Sequence, residues 1–272
     1  PRRVLLLVKA GQAVDDFINA LLPHLEAGDI IIDGGNTNFP DTNRRCRELK
    51  QRGILFVGSG VSGGEEGARH GPSMMPGGDS DAWPHIAPIF QAIAAKVPRL
   101  NGSRADSAEQ DVCCDWVGPE GAGHFVKTVH NGIEYGDMQL IAEAYDLLKR
   151  GLHLTEDELA QTFATWNEGA LSSFLIEITA DILAYKDPHD GSRVVEKIRD
   201  AAGQKGTGKW TVIAGLDAGM PVTLISEAVF ARALSAMKTD RRMASLKLAS
   251  EAPRVNLDAA ERAKLIESVR NV

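Results

Sequence analysis

The fold prediction starts from the stretch Asp29-Ile30-Ile31-Ile32-Asp33-Gly34-Gly35-Asn36. Its apolar run, closed by paired glycines, indicates a short strand buried on both faces, which is typical of a parallel sheet. Similar runs occur at Val4–Val8 and at Ile54–Val57. An apolar helical pattern separates the first two strands, and a polar helix at about 41–51 separates the last two. This alternation predicts an α/β fold with a partial doubly wound parallel sheet. Asp33–Asn36 fits a simple turn and a ligand contact equally well, because it ends a strand.

The second half of the chain predicts helices and no strand. Helical periodicity covers about 121–149, 156–184, 193–201, 207–216, 222–238 and 258–270. We therefore expect an α/β domain at 1–120 and an all-helical domain at 121–272. The polar segment Pro98–Asp111 lacks periodicity and is predicted to be an exposed loop.

Composition excludes several classes of protein. The net charge of −7 and the absence of a dense Lys/Arg run argue against nucleic-acid binding. Cys46, Cys113 and Cys114 include no CxxC pair, which favours reduced thiols of a cytoplasmic protein over a disulfide scaffold or a metal site. No apolar run approaches the ~18 residues of a membrane span. Because the chain begins at Pro1 and enters a strand at once, we expect a fragment of a longer protein.

One face of the predicted helix near 121–149 carries three groups suited to acid–base chemistry. At ~100° per residue, Asn131 lies about 40° from Lys127 and Glu134 about 20° from it on the other side. Lys127 and Glu134 are separated by a rise of roughly 10 Å, so a small polar ligand could meet a base at one end and an acid at the other. The alternative is a solvated helix face. Gly121 and Gly123 favour the ligand, since glycines at a helix start permit close approach.

Two glycine-rich motifs resemble nucleotide-binding loops without meeting their requirements. Gly58–Gly63 matches GxGxxG after a strand, but the dinucleotide motif must also open a helix, and 64–72 predicts a poor helix. Contact between backbone N–H groups and a smaller ligand is favoured instead. Gly203–Trp210 has tryptophan where a P-loop needs Ser or Thr. Lys205 and Thr207 still suit a phosphate, although a plain connection between helices is equally compatible.

Together these motifs resemble the β-hydroxyacid dehydrogenase superfamily, which shares a glycine–serine loop, here Gly58–Gly64, and a Gly-x-x-x-Lys-x-x-x-Asn helix, here Gly123 to Asn131. Its dinucleotide-binding domain is Rossmann-like. Within it, the chain is similar to the 6-phosphogluconate dehydrogenase family. The similar runs are Leu7–Asp16, Ile30–Asn36, Val129–Gln139 and Ala202–Thr211.

The resemblance implies NADP-dependent oxidative decarboxylation of 6-phospho-D-gluconate to ribulose 5-phosphate, a step of the pentose phosphate pathway, without a metal and in a homodimer. It implies that Lys127 is the general base at the 3-hydroxyl and that Glu134 is the acid that protonates the enediol. Such a lysine must be neutral when it accepts the proton, so its pKa must fall well below ~10.4. The residues implied to hold the sugar acid are Asn36, Ser62, Gly63, Gly64, His130 and Asn131. Those implied near the phosphate are Tyr135, Lys205, Thr207 and Arg232. Those implied to contact NADP are Val8, Lys9, Ala10 and Asn36.

The family's own GxGxxG unit and its C-terminal tail are not among these residues. The domain at 1–120 is therefore expected to be a partial dinucleotide-binding domain. The domain at 121–272 is expected to serve substrate binding and dimerisation and to be incomplete at its C-terminus. The isolated chain should bind NADP weakly or not at all. Two alternatives stay open: a related dehydrogenase of a small unphosphorylated acid, and a truncated, non-catalytic chain.

Overall fold

A mixed sheet organises the first of the two units into which the chain divides, Pro1–Gly132 and Ile133–Val272. The structure is a computed structural model, and it describes residues 1–101, 104–248 and 257–271. Its strands are β1 (Arg3–Leu6), β2 (Ile30–Asp33), β3 (Leu55–Ser62), β4 (Ser73–Gly78), β5 (Lys96–Asn101), β6 (Arg104–Val112) and β7 (Gly118–Pro119). Within the described residues the main sheet has the order β1-β2-β3-β4-β7.

The strand pairing confirms the predicted fold class. The strands β1, β2 and β3 pair in parallel, as the strand–helix alternation requires. β4 then pairs antiparallel with β3, and β7 pairs in parallel with β4. The sheet is therefore mixed, and the antiparallel β4 is the feature that the strand–helix pattern did not predict.

Both faces of the sheet are covered by helices. The helices that begin in this unit are α1 (Gln12–Leu21), α2 (Phe39–Lys50), α3 (Gly64–His70), α4 (Trp83–Ile93) and α5 (Ala122–Asp146). Because successive side chains of a strand alternate, Ile30 and Ile32 pack in one core with α4, while Ile31 packs in the other with α1 and α2. This double burial explains the unbroken apolar run of β2.

Two predictions for the first unit are wrong. The described residues of the segment Pro98–Asp111 are not a loop: 98–101 and 104–111 lie in the antiparallel strands β5 and β6, with a bulge between Pro98 and Arg99, and 102–103 lie outside the described residues. Backbone hydrogen bonds between two strands do not require apolar side chains, so hydrophobic periodicity gave no signal there. The segment after Gly63 does form a short helix, α3. Its acidic first turn and basic last turn suit the helix dipole despite the glycines.

The second unit is helical in its described part, as predicted. The helices after α5 are α6 (Glu156–Asn167), α7 (Phe174–Ala184), α8 (Thr207–Asp217), α9 (Thr223–Ala236), α10 (Lys238–Leu248) and α11 (Ala259–Arg270). The helix predicted over 156–184 is broken between α6 and α7. The helix predicted over 193–201 is only a 3-10 turn at Val194–Glu196. A search of the described residues finds no helix with the length and apolarity that crossing a bilayer needs.

The start of α5 lies against β3 and β4 at a distance that only glycine permits. A Cβ atom on Gly123 would lie 2.2 Å from the carbonyl oxygen of Gly58 and 2.3 Å from that of Met75. A Cβ atom on Gly77, in β4, would lie 2.5 Å from the backbone nitrogen of Gly123. The helix and the two strands therefore touch backbone to backbone. This contact fixes the position of the first turns of α5 relative to β3 and β4.

We expect Gly123→Ala to destabilise the protein, because the atoms that the new methyl group meets are backbone atoms and cannot rotate away. Overpacking of this kind costs about 1–3 kcal/mol or more. Urea denaturation of the variant measures the loss. Gly67→Ala in α3 is the control, since its Cβ would meet nothing closer than 3.4 Å. Equal stability of the two variants would contradict the requirement for glycine at 123.

Candidate active site

The loops that follow β1 and β2 meet at the carboxyl ends of these parallel strands, where ligands of such sheets bind. The backbone nitrogen of Gly34 donates to the carbonyl oxygen of Leu6 at 2.9 Å. A Cβ atom on Gly35 would lie 3.0 Å from the carbonyl oxygen of Val8. The structure thus brings together the two loops that carry the predicted cofactor residues. Lys9 and Asn36 are exposed on them.

Lys127 is buried, with only 6% of its surface exposed. Its stem lies over Gly60, because a Cβ atom there would be 2.4 Å from the Cβ atom of Lys127. Gly58 and Gly60 share one face of β3, since strand side chains alternate. These two glycines of the GxGxxG motif therefore pack against α5. The glycines of this motif make space here for a buried lysine, whereas in a dinucleotide-binding motif they hold a diphosphate.

The end of β3 is joined to α5 by a histidine. His130 Nε2 lies 3.4 Å from Ser62 Oγ, and His130 Nδ1 lies 3.3 Å from Asn131 Oδ1. Gly63 and Gly64 follow Ser62 directly, and both have positive φ. The structure therefore gathers Ser62, His130 and Asn131 one turn from Lys127, with the glycine pair beside them. A polar ligand placed here would meet hydroxyl, imidazole and amide groups.

His124 is a buried group that the sequence pattern did not single out. It is 1% exposed, and its Nδ1 lies 2.7 Å from Thr42 Oγ1. Burial lowers the pKa of His124, while the charge and the backbone of Asp33 act in the opposite direction. The imidazole is therefore held neutral. Its spacing of three residues from Lys127 on α5 was the available signal, since i and i+3 share a helix face.

Arg45 is the second group that the sequence did not reveal. Its side chain is 1% exposed, its Nε donates to Asp15 Oδ1 at 2.8 Å, and its Nη2 donates to Asp15 Oδ2 at 2.9 Å. Nη2 also donates to the carbonyl oxygen of Gly11 at 3.0 Å, and Nη1 lies 3.7 Å from Asp33 Oδ2. The guanidinium lowers the pKa of Asp15 through this hydrogen bonding. Arg45 thus links the loops after β1 and β2.

Asp33 completes this link from the other side. It is fully buried and accepts hydrogen bonds from Thr37 Oγ1 at 2.6 Å and from the backbone nitrogen of Gly35 at 3.0 Å. These bonds hold the turn that presents Asn36. No sequence signal pairs Asp33 with Arg45, because their contact depends on the packing of α2 onto the sheet.

A separate group of predicted residues comes together in the second unit. The guanidinium carbon of Arg232 lies 3.8 Å from the centre of the Tyr135 ring, and Arg232 Nη1 donates to the carbonyl oxygen of Gly203 at 2.7 Å. Thr207 is buried at the start of α8, whereas Lys205 is exposed just before it. Glu134 is half-buried on α5. No group of three or more His, Cys, Asp or Glu side chains in the described part of the chain could hold a metal ion.

Two family models match consecutive parts of the chain. The model for the NAD binding domain of 6-phosphogluconate dehydrogenase matches residues 2–118, and the model for the C-terminal domain of 6-phosphogluconate dehydrogenase matches residues 123–272. The chain belongs to the 6-phosphogluconate dehydrogenase family. The resemblance inferred from the sequence motifs is thereby confirmed.

Relatives within the 6-phosphogluconate dehydrogenase family are close in sequence. The decarboxylating 6-phosphogluconate dehydrogenase of Mus musculus is 63% identical over 270 residues, which are 99% of this chain and 53% of that protein. The enzyme of the same name from Homo sapiens is 66% identical over 248 residues, which are 91% of this chain and 49% of that protein. The chain thus spans about half the length of the curated relatives it matches.

Solved structures give the same family and the wider fold. Plasmodium falciparum 6-phosphogluconate dehydrogenase, solved in its apo form, with its cofactor NADP+ and with its substrate 6-phosphogluconate, matches at a TM-score of 0.87 and 41% identity, covering 99% of this chain and 56% of that one. 3-Hydroxyisobutyrate dehydrogenase from Salmonella typhimurium matches at a TM-score of 0.62 and 15% identity, covering 88% of this chain and 74% of that one. The second likeness shows the fold alone.

In this member of the 6-phosphogluconate dehydrogenase family, we expect Arg45→Met to reduce the free energy of unfolding by about 1–3 kcal/mol, because it removes the buried guanidinium that binds Asp15 and faces the fully buried carboxylate of Asp33. Arg44→Met is the matched control. Arg44 also binds Asp15, at 3.0 Å, but its side chain is 42% exposed, and exposed pairs contribute about 0–1 kcal/mol. Denaturant titration of both variants measures the difference. Equal losses would show that burial of Arg45 adds nothing.

Proposed function

We propose that the whole protein oxidises 6-phospho-D-gluconate with NADP and decarboxylates the product to ribulose 5-phosphate. The observation that carries the proposal is the buried Lys127, packed over Gly60 and close to the Ser62–His130–Asn131 group. A lysine is almost never buried without a specific role or partner. The names of the relatives, and the NADP+ and 6-phosphogluconate complexes of the Plasmodium enzyme, support the same reaction.

The domain roles, the oligomeric state and the compartment are parts of this proposal. Residues 1–120 form a dinucleotide-binding domain, and residues 121–272 serve substrate binding and dimerisation. The protein acts as a cytoplasmic homodimer in the pentose phosphate pathway. Family membership supports these assignments, and the free thiols of Cys46, Cys113 and Cys114 suit a reducing compartment.

The cofactor residues in the proposal are Val8, Lys9, Ala10 and Asn36. The structure fits this assignment, since the missing side chain of Gly35 lets the two loops approach where a Cβ atom would be 3.0 Å from the carbonyl oxygen of Val8. When bound, NADP+ supplies the acceptor for the hydride. The loops position their exposed polar groups against it, and the Arg45–Asp33 link keeps the loops in register.

Lys127 is the proposed general base. It takes the proton of the substrate's 3-hydroxyl as the hydride leaves C3, and it must be neutral to do so. Burial favours the neutral form of an amine. Once protonated, Lys127 donates to the oxygen of the 3-keto group, which withdraws electrons as the bond to CO₂ breaks.

Glu134 is the proposed general acid. Loss of CO₂ leaves an enediol. Glu134 donates a proton to C1 while the hydroxyl at C2 returns its proton to Lys127, which gives ribulose 5-phosphate. The groups that hold the sugar acid meanwhile are Asn36, Ser62, Gly63, Gly64, His130 and Asn131. Their hydroxyl, imidazole, amide and backbone groups suit a polyhydroxy acid, which offers both donors and acceptors.

Tyr135, Lys205, Thr207 and Arg232 are the proposed phosphate residues. Arg232 is already oriented by Tyr135 and the carbonyl oxygen of Gly203, so its planar donors are fixed before a ligand arrives. The alternative substrate is a small unphosphorylated acid. Such an acid offers nothing for a fixed guanidinium and a lysine at its far end, and this arrangement favours the phosphorylated substrate.

The proposal is tested on the full-length gene product with 6-phosphogluconate and NADP+. We expect NADPH, CO₂ and ribulose 5-phosphate in equal amounts, and much lower turnover of unphosphorylated gluconate. Equal turnover of the two acids would favour the unphosphorylated alternative. A folded protein without turnover of either would favour the non-catalytic alternative.

We expect Lys127→Met to lower turnover by at least ~10²–10⁴-fold, the usual loss for a general base, while the thermal midpoint changes little. Methionine matches the buried lysine stem but cannot accept a proton. Steady-state NADPH formation measures the loss. Lys50→Met, at an exposed lysine of α2, is the control and should retain activity. Near-normal turnover of Lys127→Met would rule out Lys127 as the base.

We expect Glu134→Gln to slow ribulose 5-phosphate formation more than hydride transfer, because the amide has no acidic proton. Stopped-flow absorbance should show an initial phase of NADPH followed by a slower steady state. Glu143→Gln, at an exposed position of α5, should behave as wild type. If Glu134→Gln forms product at the normal rate, another group supplies the proton.

A further inference from the structure

The start of α8 lies directly against the ring of Tyr135. Gly208 is buried, and a Cβ atom on it would lie 2.5 Å from Tyr135 Cε2 and 2.6 Å from Tyr135 Cδ2. It would also lie 3.1 Å from Val229 Cγ2. At such distances a side chain at 208 and the aromatic ring cannot both keep their positions, so the ring or the start of α8 must shift.

Space, and not backbone conformation, is the reason for glycine at 208. The residue belongs to α8 and does not have the positive φ found at Gly206. Alanine would adopt the same backbone conformation, and its helix propensity is higher than that of glycine. The sequence therefore gives up helix propensity where the Tyr135 ring needs room.

The ring of Tyr135 in turn orients Arg232. The guanidinium carbon lies 3.8 Å from the ring centre, well inside the ~6 Å range of a cation–π contact. Arg232 Nη1 donates to the carbonyl oxygen of Gly203 at 2.7 Å, and Nη2 lies 3.7 Å from Met138 Sδ. The aromatic face and the two edge contacts together fix the plane of the guanidinium.

We propose that Gly208 is a positioning residue for the phosphate end of the substrate. It acts through Tyr135, whose ring it admits to the start of α8, and Tyr135 holds Arg232 for bidentate contact with a phosphate. The inference rests on the proposed function, which assigns Tyr135 and Arg232 to the phosphate. It adds Gly208, a residue without a side chain, as the group that sets the geometry of Tyr135 and Arg232.

The test compares Gly208→Ala with Arg232→Ala and with Gly215→Ala in the full-length gene product. Gly215 is the matched control: it is buried on the same helix, and a Cβ atom on it would lie 2.7 Å from Val222 Cγ2, with no ring atom among its three nearest neighbours. We expect Gly208→Ala and Arg232→Ala each to raise KM for 6-phosphogluconate about tenfold or more, with much smaller changes in kcat. Gly215→Ala should leave KM within about twofold. If a general loss of packing caused the effect of Gly208→Ala, Gly215→Ala would raise KM as well.

A double-mutant cycle tests whether Tyr135 transmits the effect. In a Tyr135→Leu background, which has a raised KM of its own, adding Gly208→Ala should change KM by less than about twofold, because the ring that it displaces is absent. A full further increase in KM would overturn the proposal. If Gly208→Ala does not fold, Gly208→Ala/Val229→Ala carries the same test, since it removes the other side chain that the methyl group meets.

Calorimetric binding of inorganic phosphate and of 6-phosphogluconate separates this inference from the proposed function. If wild type does not turn over 6-phosphogluconate, but Gly208→Ala and Arg232→Ala both weaken phosphate binding, the proposed function fails and the positioning role stands. If turnover is present and only Arg232→Ala weakens binding, the role of Gly208 is wrong and the proposed function stands. If wild type binds neither ligand and does not turn over 6-phosphogluconate, both the proposed function and the positioning role of Gly208 are wrong.

Discussion

The backbone contact between α5 and the β3–β4 pair is the constraint on which the first unit depends. Gly123 on the helix and Gly58 and Gly77 on the strands leave no room for a Cβ atom on either side. Because the helix starts in contact with the sheet, Lys127 enters the interior over Gly60. The same close approach leaves Lys127 only 6% exposed.

A buried ionic link through Arg45 joins the loops that follow β1 and β2. Arg45 donates hydrogen bonds to Asp15 and to the carbonyl oxygen of Gly11, and its Nη1 atom faces Asp33. Buried pairs of this kind contribute little net stability relative to apolar packing, because both charges lose their hydration. They do fix geometry, since few arrangements satisfy a planar guanidinium. The link therefore suits loops that must present backbone and side-chain groups to a ligand at fixed positions.

In the second unit, too, the missing Cβ atom of a glycine permits close packing. There a glycine admits an aromatic ring, and the ring orients a cation. At Gly208, Gly123 and Gly77 the property in use is the missing Cβ atom. At Gly11 and Gly64 it is the positive φ that other residues rarely adopt, since a Cβ atom there would meet nothing within 4 Å. The same residue type thus meets two different needs, and a motif written only in glycines does not distinguish them.

The sequence by itself determined the α/β class of the first half, the helical second half and the family, because periodicity and the runs around Lys127 and Lys205 are local signals. It also singled out Lys127 and Asn131 from one helix face. Tertiary structure alone decided that Gly58 and Gly60 pack against a helix, that Arg45 is buried, and that β5 pairs with β6. Burial, strand pairing and the distance between two backbones are properties of residues far apart in the chain, and no local pattern carries them.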